Sequence, residues 1–227
     1  MAFLSNKTIN RLNLHLALVN LLDQSFTVFG PVYLYTKGIS IAGILLIITA
    51  LNLLRMPFRF LAFPVIRRWG LRNAILIGAT GYGLSFPVLS LVKGVDGWLG
   101  LYILMYAVFN SMHWFCFHTF YSLAGEHENR RKHFAAAQAL TTGFAAIAPL
   151  ISGVFILHEG FKSYFLLAFV LIGLMWLTLM HCESGNIGKV HWHNSGGYIK
   201  SFGAQIQFLE AASSYPIMIC WLFTVDL

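Results

Sequence analysis

The sequence has few charged residues. Only 10% of its 227 residues are Asp, Glu, Lys or Arg, whereas 58% are apolar. A soluble domain carries about a quarter charged residues, so this scarcity excludes an ordinary soluble protein. The mean hydropathy of +0.70 points the same way. Composition therefore predicts an integral membrane protein.

Cysteines are equally sparse. The three present, Cys116, Cys182 and Cys220, have no metal or redox spacing, and their odd number excludes a complete disulfide framework. The formal charge of +7 is not arranged in a basic segment interleaved with aromatic residues, so nothing supports nucleic-acid binding. No small-residue cleavage site interrupts the first apolar run before Tyr35, so we expect a first transmembrane helix and not a removed signal peptide.

Long apolar runs are what the sequence does contain. A membrane-spanning helix needs about 20 apolar residues. Six runs of suitable length lie between the charged clusters, at residues 12–35, 39–62, 73–92, 98–121, 134–157 and 163–180. We therefore expect an all-α membrane protein, with a six-helix transmembrane bundle at 1–181. Residues 182–213 are predicted to be a cytoplasmic linker with an amphipathic helix, and residues 214–227 the start of a truncated seventh transmembrane helix.

The basic residues are distributed asymmetrically between the two sides of such a bundle. Three of them (Lys37, Lys93 and Lys162) fall on one side. The other twelve fall on the opposite side: Lys7, Arg11, Arg55, Arg59, Arg67, Arg68, Arg72, Arg130, Arg131, Lys132, Lys189 and Lys200. Because cytoplasmic loops carry the excess of Lys and Arg, we expect a multi-pass protein of the plasma (inner) membrane with a cytoplasmic N-terminus.

One charged side chain, Asp23, lies in the middle of the first run. A charge at the centre of a bilayer costs about 2.5–3.5 kcal/mol on insertion scales, so the carboxylate should face a polar cavity or a charged partner. Other polar residues lie at helical spacing on the first and fourth runs. The residues predicted to line a cavity for a substrate or protons are Asn20, Asp23, Gln24, Thr27, Asn110 and His113.

Arg55 is the candidate charge partner of Asp23. Counted from the cytoplasmic ends of their runs, both residues lie about 10–16 Å deep at 1.5 Å per helical residue. An Asp23–Arg55 pair is therefore one prediction. The alternative is that Arg55 extends to the cytoplasmic headgroups and does not interact with Asp23.

A basic motif follows the second run, in "PVIRRWGLRNAIL". Its functional residues are predicted to be Arg67, Arg68, Gly70 and Arg72. The glycine permits a tight reversal between two helices, and the arginines would lie at the cytoplasmic headgroups. These arginines are either a functional loop motif or only anchors of the topology.

The fifth run carries small residues and one proline, in "TTGFAAIAPLISG". Small residues four apart let helix backbones approach closely in lipid, and Pro149 favours a kink. Gly143, Pro149 and Gly153 are therefore predicted to serve helix packing or hinging.

Taken in order, these features resemble the N-terminal half of a major facilitator superfamily transporter. The basic motif resembles that family's cytoplasmic signature, although Arg67 stands where the family has aspartate and Leu71 replaces a basic residue. The loop "GEHENRRKHFAAAQ" resembles the family's loop between the fourth and fifth helices. The resemblance implies that the first and fourth helices line the central cavity.

The resemblance also implies a function: secondary active transport of a small solute by alternating access. Proton coupling is expected from Asp23 itself, because a buried carboxylate beside polar residues can carry a proton. The resemblance implies no enzymatic activity, catalytic residue, metal or cofactor. Partners would be the lipid bilayer, the solute, protons, and a missing C-terminal half or a second copy of the chain. Two alternatives stay open: a histidine-rich membrane metalloenzyme, for which no histidine pair has a defensible metal spacing, and a non-transporting membrane fragment.

Overall fold

The computed structural model describes residues 7–124, 130–180 and 182. These residues fall within a compact unit, Met1–Ser184. They are helical almost throughout and contain no strand. The elements are α1 (Lys7–Thr36), α2 (Ile41–Phe58), a 3₁₀ turn (Arg59–Leu61), α3 (Ala62–Leu89), α4 (Gly97–Ala124) and α5 (Arg130–Met180). Apart from Cys182, the predicted linker at 182–213 and the predicted partial helix at 214–227 lie outside the described residues.

The chain reverses direction inside α3, at Gly70. This glycine has φ 78° and ψ 167°, a left-handed backbone conformation that other residues adopt only with strain. Before Gly70, Arg55 contacts Asn110 of α4, and Phe63 contacts Phe115, which lies further along α4. After Gly70, Ile75 contacts His113, and Tyr82 contacts Tyr106, which lies earlier in α4. The chain therefore runs parallel to α4 before Gly70 and antiparallel to it afterwards.

A second reversal lies inside α5, at Gly160, where φ is 75° and ψ is 170°. Thr141 and Thr178, on either side of this glycine, contact Asn20 and His15 of α1. Because a helix advances about 1.5 Å per residue, an uninterrupted helix would place the two threonines about 55 Å apart. The segments 130–159 and 161–180 therefore fold back on each other.

With these reversals the described residues form six helical segments, and each predicted apolar run lies largely within one of them. The main difference concerns the basic motif of Arg67, Arg68, Gly70 and Arg72, which the sequence placed in a cytoplasmic loop after the second run. Its residues are helical except for Gly70, because arginine is a good helix former and Gly70 alone leaves the helical conformation there.

Three helical stretches in the described residues are long and apolar enough to cross a membrane: Ile41–Leu89, Gly97–Tyr121 and Ala135–Met180. Large apolar side chains also lie on the outer surface, including Leu46, Leu150 and Leu157. Exposed apolar area of this extent is costly in water but suits contact with lipid chains. Length, composition and surface thus agree with the class of protein that the sequence predicts.

An aromatic core joins α1, α3 and the last segment of α5. Phe26 of α1 is 2% exposed, and its ring centroid lies 4.0 Å from that of Phe86 and 4.6 Å from that of Tyr164. Stacked and tilted aromatic pairs at these distances add to the free energy gained from burial. This core fixes the position of α1 along the length of α3, and with it the level in the bundle at which Asp23 lies.

Close helix approach occurs at a glycine that the small-residue motif did not include. A Cβ atom on Gly78 would lie 2.7 Å from the backbone nitrogen of His113, so α3 and α4 are nearly in backbone contact there. In the predicted packing motif, a Cβ on Gly153 would meet the Phe29 ring at 3.4 Å, whereas one on Gly143 would meet nothing within 4 Å. Around Pro149 the backbone keeps helical dihedral angles.

Candidate functional site

The carboxylate of Asp23 is half-buried between helices and accepts hydrogen bonds at Oδ1. One donor is the phenolic hydroxyl of Tyr82, a side chain of α3 that is 0% exposed. The other is Oγ1 of Thr27, one helical turn further along α1, at 3.5 Å. A hydrogen bond to a charged oxygen is about twice as strong as a neutral one. Tyr82 is therefore the main partner that stabilises the charged carboxylate inside the bundle.

Arg55 also lies inside the bundle. Its guanidinium donates hydrogen bonds to Oδ1 of Asn110 in α4 and to Oδ1 of Asn52 at 3.4 Å. It lies over the ring of Tyr106, 5.8 Å from the ring centroid, where a cation–π attraction operates. The backbone carbonyl of Arg55 accepts a hydrogen bond of 3.0 Å from Ser111, which ties α2 to α4 at this height.

Two tyrosines connect these charged groups. The rings of Tyr82 and Tyr106 meet edge to face with centroids 5.1 Å apart, and their side chains are hydrogen-bonded. Arg55 lies over the Tyr106 ring and Tyr82 donates to Asp23, so the tyrosine pair lies between the two charged groups. We call the five side chains Asp23, Arg55, Tyr82, Tyr106 and Asn110 the polar cluster. Each of the helices α1 to α4 contributes at least one member.

The polar cluster combines a carboxylate, a guanidinium, two phenols and one amide in an otherwise apolar bundle. The carboxylate can bind a cationic group or a proton, and the guanidinium can bind an anionic group. Placing both charges at the same level of the bundle lowers the free-energy cost of removing either one from water. The arrangement is thus suited to binding a small polar molecule or to moving a proton.

The structure brings together some of the residues that the sequence predicted and separates others. Thr27 and Asn110 lie with Asp23 and Arg55, whereas Nδ2 of Asn20 donates to the Leu16 carbonyl at 2.8 Å and lies 3.5 Å from Oγ1 of Thr141. Gln24 is half-buried. A direct Asp23–Arg55 pair stays a prediction.

His113 lies outside the polar cluster, next to a second buried histidine. Its ring centroid is 5.3 Å from that of His15 on α1, and both side chains are 0% exposed. Sequence reasoning missed His15, although an ionisable residue within an apolar run is the same signal that identified Asp23. It also missed Tyr82, because tyrosine in a membrane helix is normally read as an interfacial residue.

The basic motif lies in the N-terminal part of α3, far along the helix from Tyr82. Arg72 donates hydrogen bonds to the backbone carbonyls of Cys182 at 3.0 Å and of Met180 at 3.4 Å. These carbonyls lie at the C-terminal end of α5, where a cation interacts favourably with the helix dipole. Arg67 and Arg68 are exposed, and Arg68 lies over the ring of Trp69. Only Arg72 of these arginines joins two helices in the described part of the chain.

Within residues 7–124 and 130–180, no group of three or more His, Cys, Asp or Glu side chains is arranged to hold a metal ion. No known protein family, curated protein or solved structure matches the chain. Fold and site together therefore define a class only: over the described residues the protein is helical, with helices long and apolar enough to cross a membrane and a charged polar cluster among them.

Proposed function

We propose that this protein is the N-terminal half of a secondary active transporter of the major facilitator superfamily. It moves a small solute across the membrane by alternating access, coupled to protons. The observation that carries the proposal is the polar cluster, in which Asp23 and Arg55 lie among apolar helices. Ionisable residues are costly in such a position and are retained in transport pathways, where they bind the solute or the coupling ion.

The number of helical segments supports the same proposal. The stretches Ile41–Leu89 and Ala135–Met180 each divide at a reversal, so together with Gly97–Tyr121 they account for five of the six proposed crossings. The sixth is α1, which is less apolar because it carries Asp23 and its polar neighbours. The concentration of basic residues on one side of the proposed bundle supports a cytoplasmic N-terminus in a plasma membrane.

In the proposed mechanism, Asp23 is the group that binds the coupled proton. Protonation removes its charge, which weakens the hydrogen bond from Tyr82 and the attraction to Arg55. The contact between α1 and α3 then loosens, and the six-helix half can rock around the bound solute. A transporter of this kind needs two six-helix halves around a midplane site, so further sequence or a second copy of the chain supplies the other half.

Proton-coupled flux in proteoliposomes tests the proposal. Vesicles holding the complete carrier, which is this six-helix half together with its second half, and an internal pH dye are exposed to an inward proton gradient while amino acids, sugars and quaternary amines are added in turn. We expect at least one solute to change the rate of internal acidification. Asp23→Asn should abolish this response, because an amide cannot take up a proton.

Asp96→Asn is the matched control, since it makes the same chemical change at a partly exposed residue next to α4. It should transport like the wild type. Acidification that is identical to that of protein-free vesicles for every solute would overturn the proposal, and so would equal activity of Asp23→Asn and the wild type.

A separate labelling experiment tests the six crossings. Cysteines are introduced singly at Lys37, Lys93 and Arg67, and intact cells are treated with a maleimide that cannot cross membranes. We expect the first two to be labelled from outside and the third only after the cells are opened. Labelling of Arg67→Cys in intact cells would contradict the proposed topology.

A further inference from the structure

The side-chain amide of Asn110 has one buried atom that the polar cluster does not explain. Asn110 is 0% exposed, and its Oδ1 accepts a hydrogen bond from the Arg55 guanidinium. Because a guanidinium only donates, this hydrogen bond fixes the orientation of the amide. The other terminal atom, Nδ2, is buried and has no hydrogen-bond partner among the described residues. Buried polar atoms normally have partners, so Nδ2 requires an acceptor.

The neighbouring guanidinium indicates which kind of acceptor fits. Nδ2 is bonded to the same carbon atom as Oδ1, so its N–H groups lie beside the guanidinium of Arg55. An amide donor and a positively charged donor therefore meet at one place in the bundle. A carboxylate has two oxygen atoms that only accept, so it can accept from both donors at once. A neutral hydroxyl or amide would gain less, because charge-assisted hydrogen bonds are roughly twice as strong.

The charges of the adjoining helices favour an anion. Arg59, in the 3₁₀ turn, follows Arg55 by four residues and so lies on the same face of the helical path. Neither α2, the 3₁₀ turn nor α4 contains Asp or Glu. The Asp23 carboxylate belongs to α1 and lies beyond the tyrosine pair. An apolar wall that carries charge of one sign attracts ligands of the opposite sign.

A ligand can approach this place from one side. Arg55 and Tyr106 are partly exposed, whereas Asn110 is buried behind them. The long Arg55 side chain lies over the Tyr106 ring, 5.8 Å from the ring centroid. Side chains that are not buried change rotamer within picoseconds to nanoseconds, so a small movement of Arg55 is enough to admit a ligand oxygen to Nδ2.

We propose that Arg55 and Asn110 bind the carboxylate of a small organic anion. One carboxylate oxygen accepts from the guanidinium and the other from Nδ2 of Asn110, after a rotamer change of Arg55. Small carboxylates are then the solute class of the carrier, an assignment that rests on the proposed transport function. Binding itself needs only this chain, because both donors belong to it.

Three ligands of nearly the same size test the preference for negative charge. Benzoate carries one negative charge, benzamide none and benzamidine one positive charge. Binding of ¹⁴C-labelled benzoate is measured on the purified full chain in phosphatidylcholine nanodiscs, with empty nanodiscs as background, and the other two compounds compete with it. We expect benzoate to bind at least about 10-fold more tightly than either, the usual effect of one hydrogen bond to a charged group.

The wild type alone can overturn the proposal. Benzoate binding no greater than that of empty nanodiscs would do so, and so would benzamide or benzamidine that binds as tightly as benzoate. These measurements need no substitution, so they do not depend on whether a variant folds.

Substitutions identify the binding groups. Asn110→Asp keeps the shape of the side chain but replaces the donating NH₂ group by an oxygen, and Arg55→Gln removes the cation. Each should weaken benzoate binding about 10-fold or more. Asn73→Asp is the matched control, since the exposed Asn73 also accepts a hydrogen bond from an arginine, Arg72, at 3.4 Å. It should bind benzoate like the wild type.

Circular dichroism and gel filtration check that each variant is folded. Unchanged benzoate binding in folded Asn110→Asp or Arg55→Gln would overturn the proposal, as would an equal loss in Asn73→Asp. The contact can also be observed directly with ¹⁵N-labelled asparagine. Benzoate should shift the side-chain resonance of Asn110, and a resonance that does not move at saturating benzoate would contradict the contact.

Binding and transport can fail separately. Specific benzoate binding to a protein that moves no solute would overturn the transport proposal and leave this site standing. Transport of a sugar or a quaternary amine without benzoate binding would overturn the carboxylate site and leave the transport proposal standing.

Discussion

The phenolic hydroxyl of Tyr82 donates a hydrogen bond to Oδ1 of Asp23, across the contact between α3 and α1. This contact accounts for the carboxylate in an apolar helix, because the hydrogen bond replaces part of the hydration that the bilayer removes. It also makes the packing of α1 against α3 sensitive to the charge on Asp23. The polar cluster therefore also joins α1 to α3 structurally.

Tyr82→Phe keeps the ring and removes only the hydroxyl. We expect a loss of about 1.5–3 kcal/mol of stability, the usual contribution of a hydrogen bond to a charged group, together with impaired transport. Tyr33→Phe is the control, since its hydroxyl donates to the neutral carbonyl of Ser90 at 2.9 Å. It should cost about 0.5–1.5 kcal/mol and leave transport intact. Equal effects in unfolding and transport assays would contradict a special role for Tyr82.

The proposed interaction of Asp23 with Arg55 can be measured with a double-mutant cycle. Asp23→Asn and Arg55→Gln each leave one charge without its opposite. The double variant should therefore lose less stability than the sum of the losses in the two single variants. We expect a coupling free energy of about 0.5–3 kcal/mol in equilibrium unfolding. Effects that add to within about 0.5 kcal/mol would show that the two charges do not interact.

Gly78→Ala tests the close approach of α3 and α4. The added methyl group would lie 2.7 Å from the His113 backbone nitrogen, so the two helices must separate. We expect a loss of about 1–3 kcal/mol of stability, as for overpacking elsewhere. Gly143→Ala is the matched control, because its Cβ meets nothing within 4 Å. It should be neutral or stabilising by up to about 1 kcal/mol, and equal thermal shifts in the two variants would contradict the packing described above.

Arg72→Gln removes the cation that binds the C-terminal carbonyls of α5. We expect a loss of about 1 kcal/mol and faster hydrogen exchange in the last turn of that helix. Arg68→Gln removes an exposed arginine and should change stability by less than about 0.5 kcal/mol. If Arg68→Gln instead accelerates exchange at the end of α5 as much as Arg72→Gln does, the basic motif acts through overall charge.

Asp96 caps the N-terminus of α4 and should make stability depend on acidity. Its carboxylate accepts hydrogen bonds of 3.0 Å from the backbone amides of Lys93 and Leu99, which hold the pKa of Asp96 below its ordinary value. A depressed pKa means that this stabilisation is complete above the unfolded value of about 3.9 and is lost as the pH falls through the folded pKa.

Asp96→Asn isolates this effect, since asparagine is a comparable cap that does not titrate. The difference in unfolding midpoint between the wild type and Asp96→Asn should be constant above about pH 4 and should shift against the wild type below it. A difference that stays constant on acidification would show that the cap does not depend on charge.

The apolar runs located the helical segments, but the boundary at the basic motif was placed wrongly. Apolar length is a local property, so the six runs could be recognised without any tertiary information. The helix through Arg67 and Arg68 was missed because charge was read as a sign of a loop. In fact a helix can continue through arginines until a residue such as Gly70 leaves the helical conformation.

The candidate site could be predicted only in part. Asp23 was identifiable because a charge within an apolar run is costly wherever the helix packs. Its hydrogen-bond donor was not, since Tyr82 is distant in sequence and has no periodic relation to Asp23. The same holds for His15 and His113, which lie on α1 and α4 and whose ring centroids are 5.3 Å apart.

The sequence by itself therefore determined the composition, the helical segments and the one acidic residue within α1, because each depends on residues close together in the chain. Only the tertiary structure decided the partners: Tyr82 for Asp23, Asn110 for Arg55, His15 for His113 and the end of α5 for Arg72. Those pairings depend on how far each helix is shifted along its axis and how it is rotated about that axis. Aromatic packing and glycine contacts set these quantities between elements far apart in the chain.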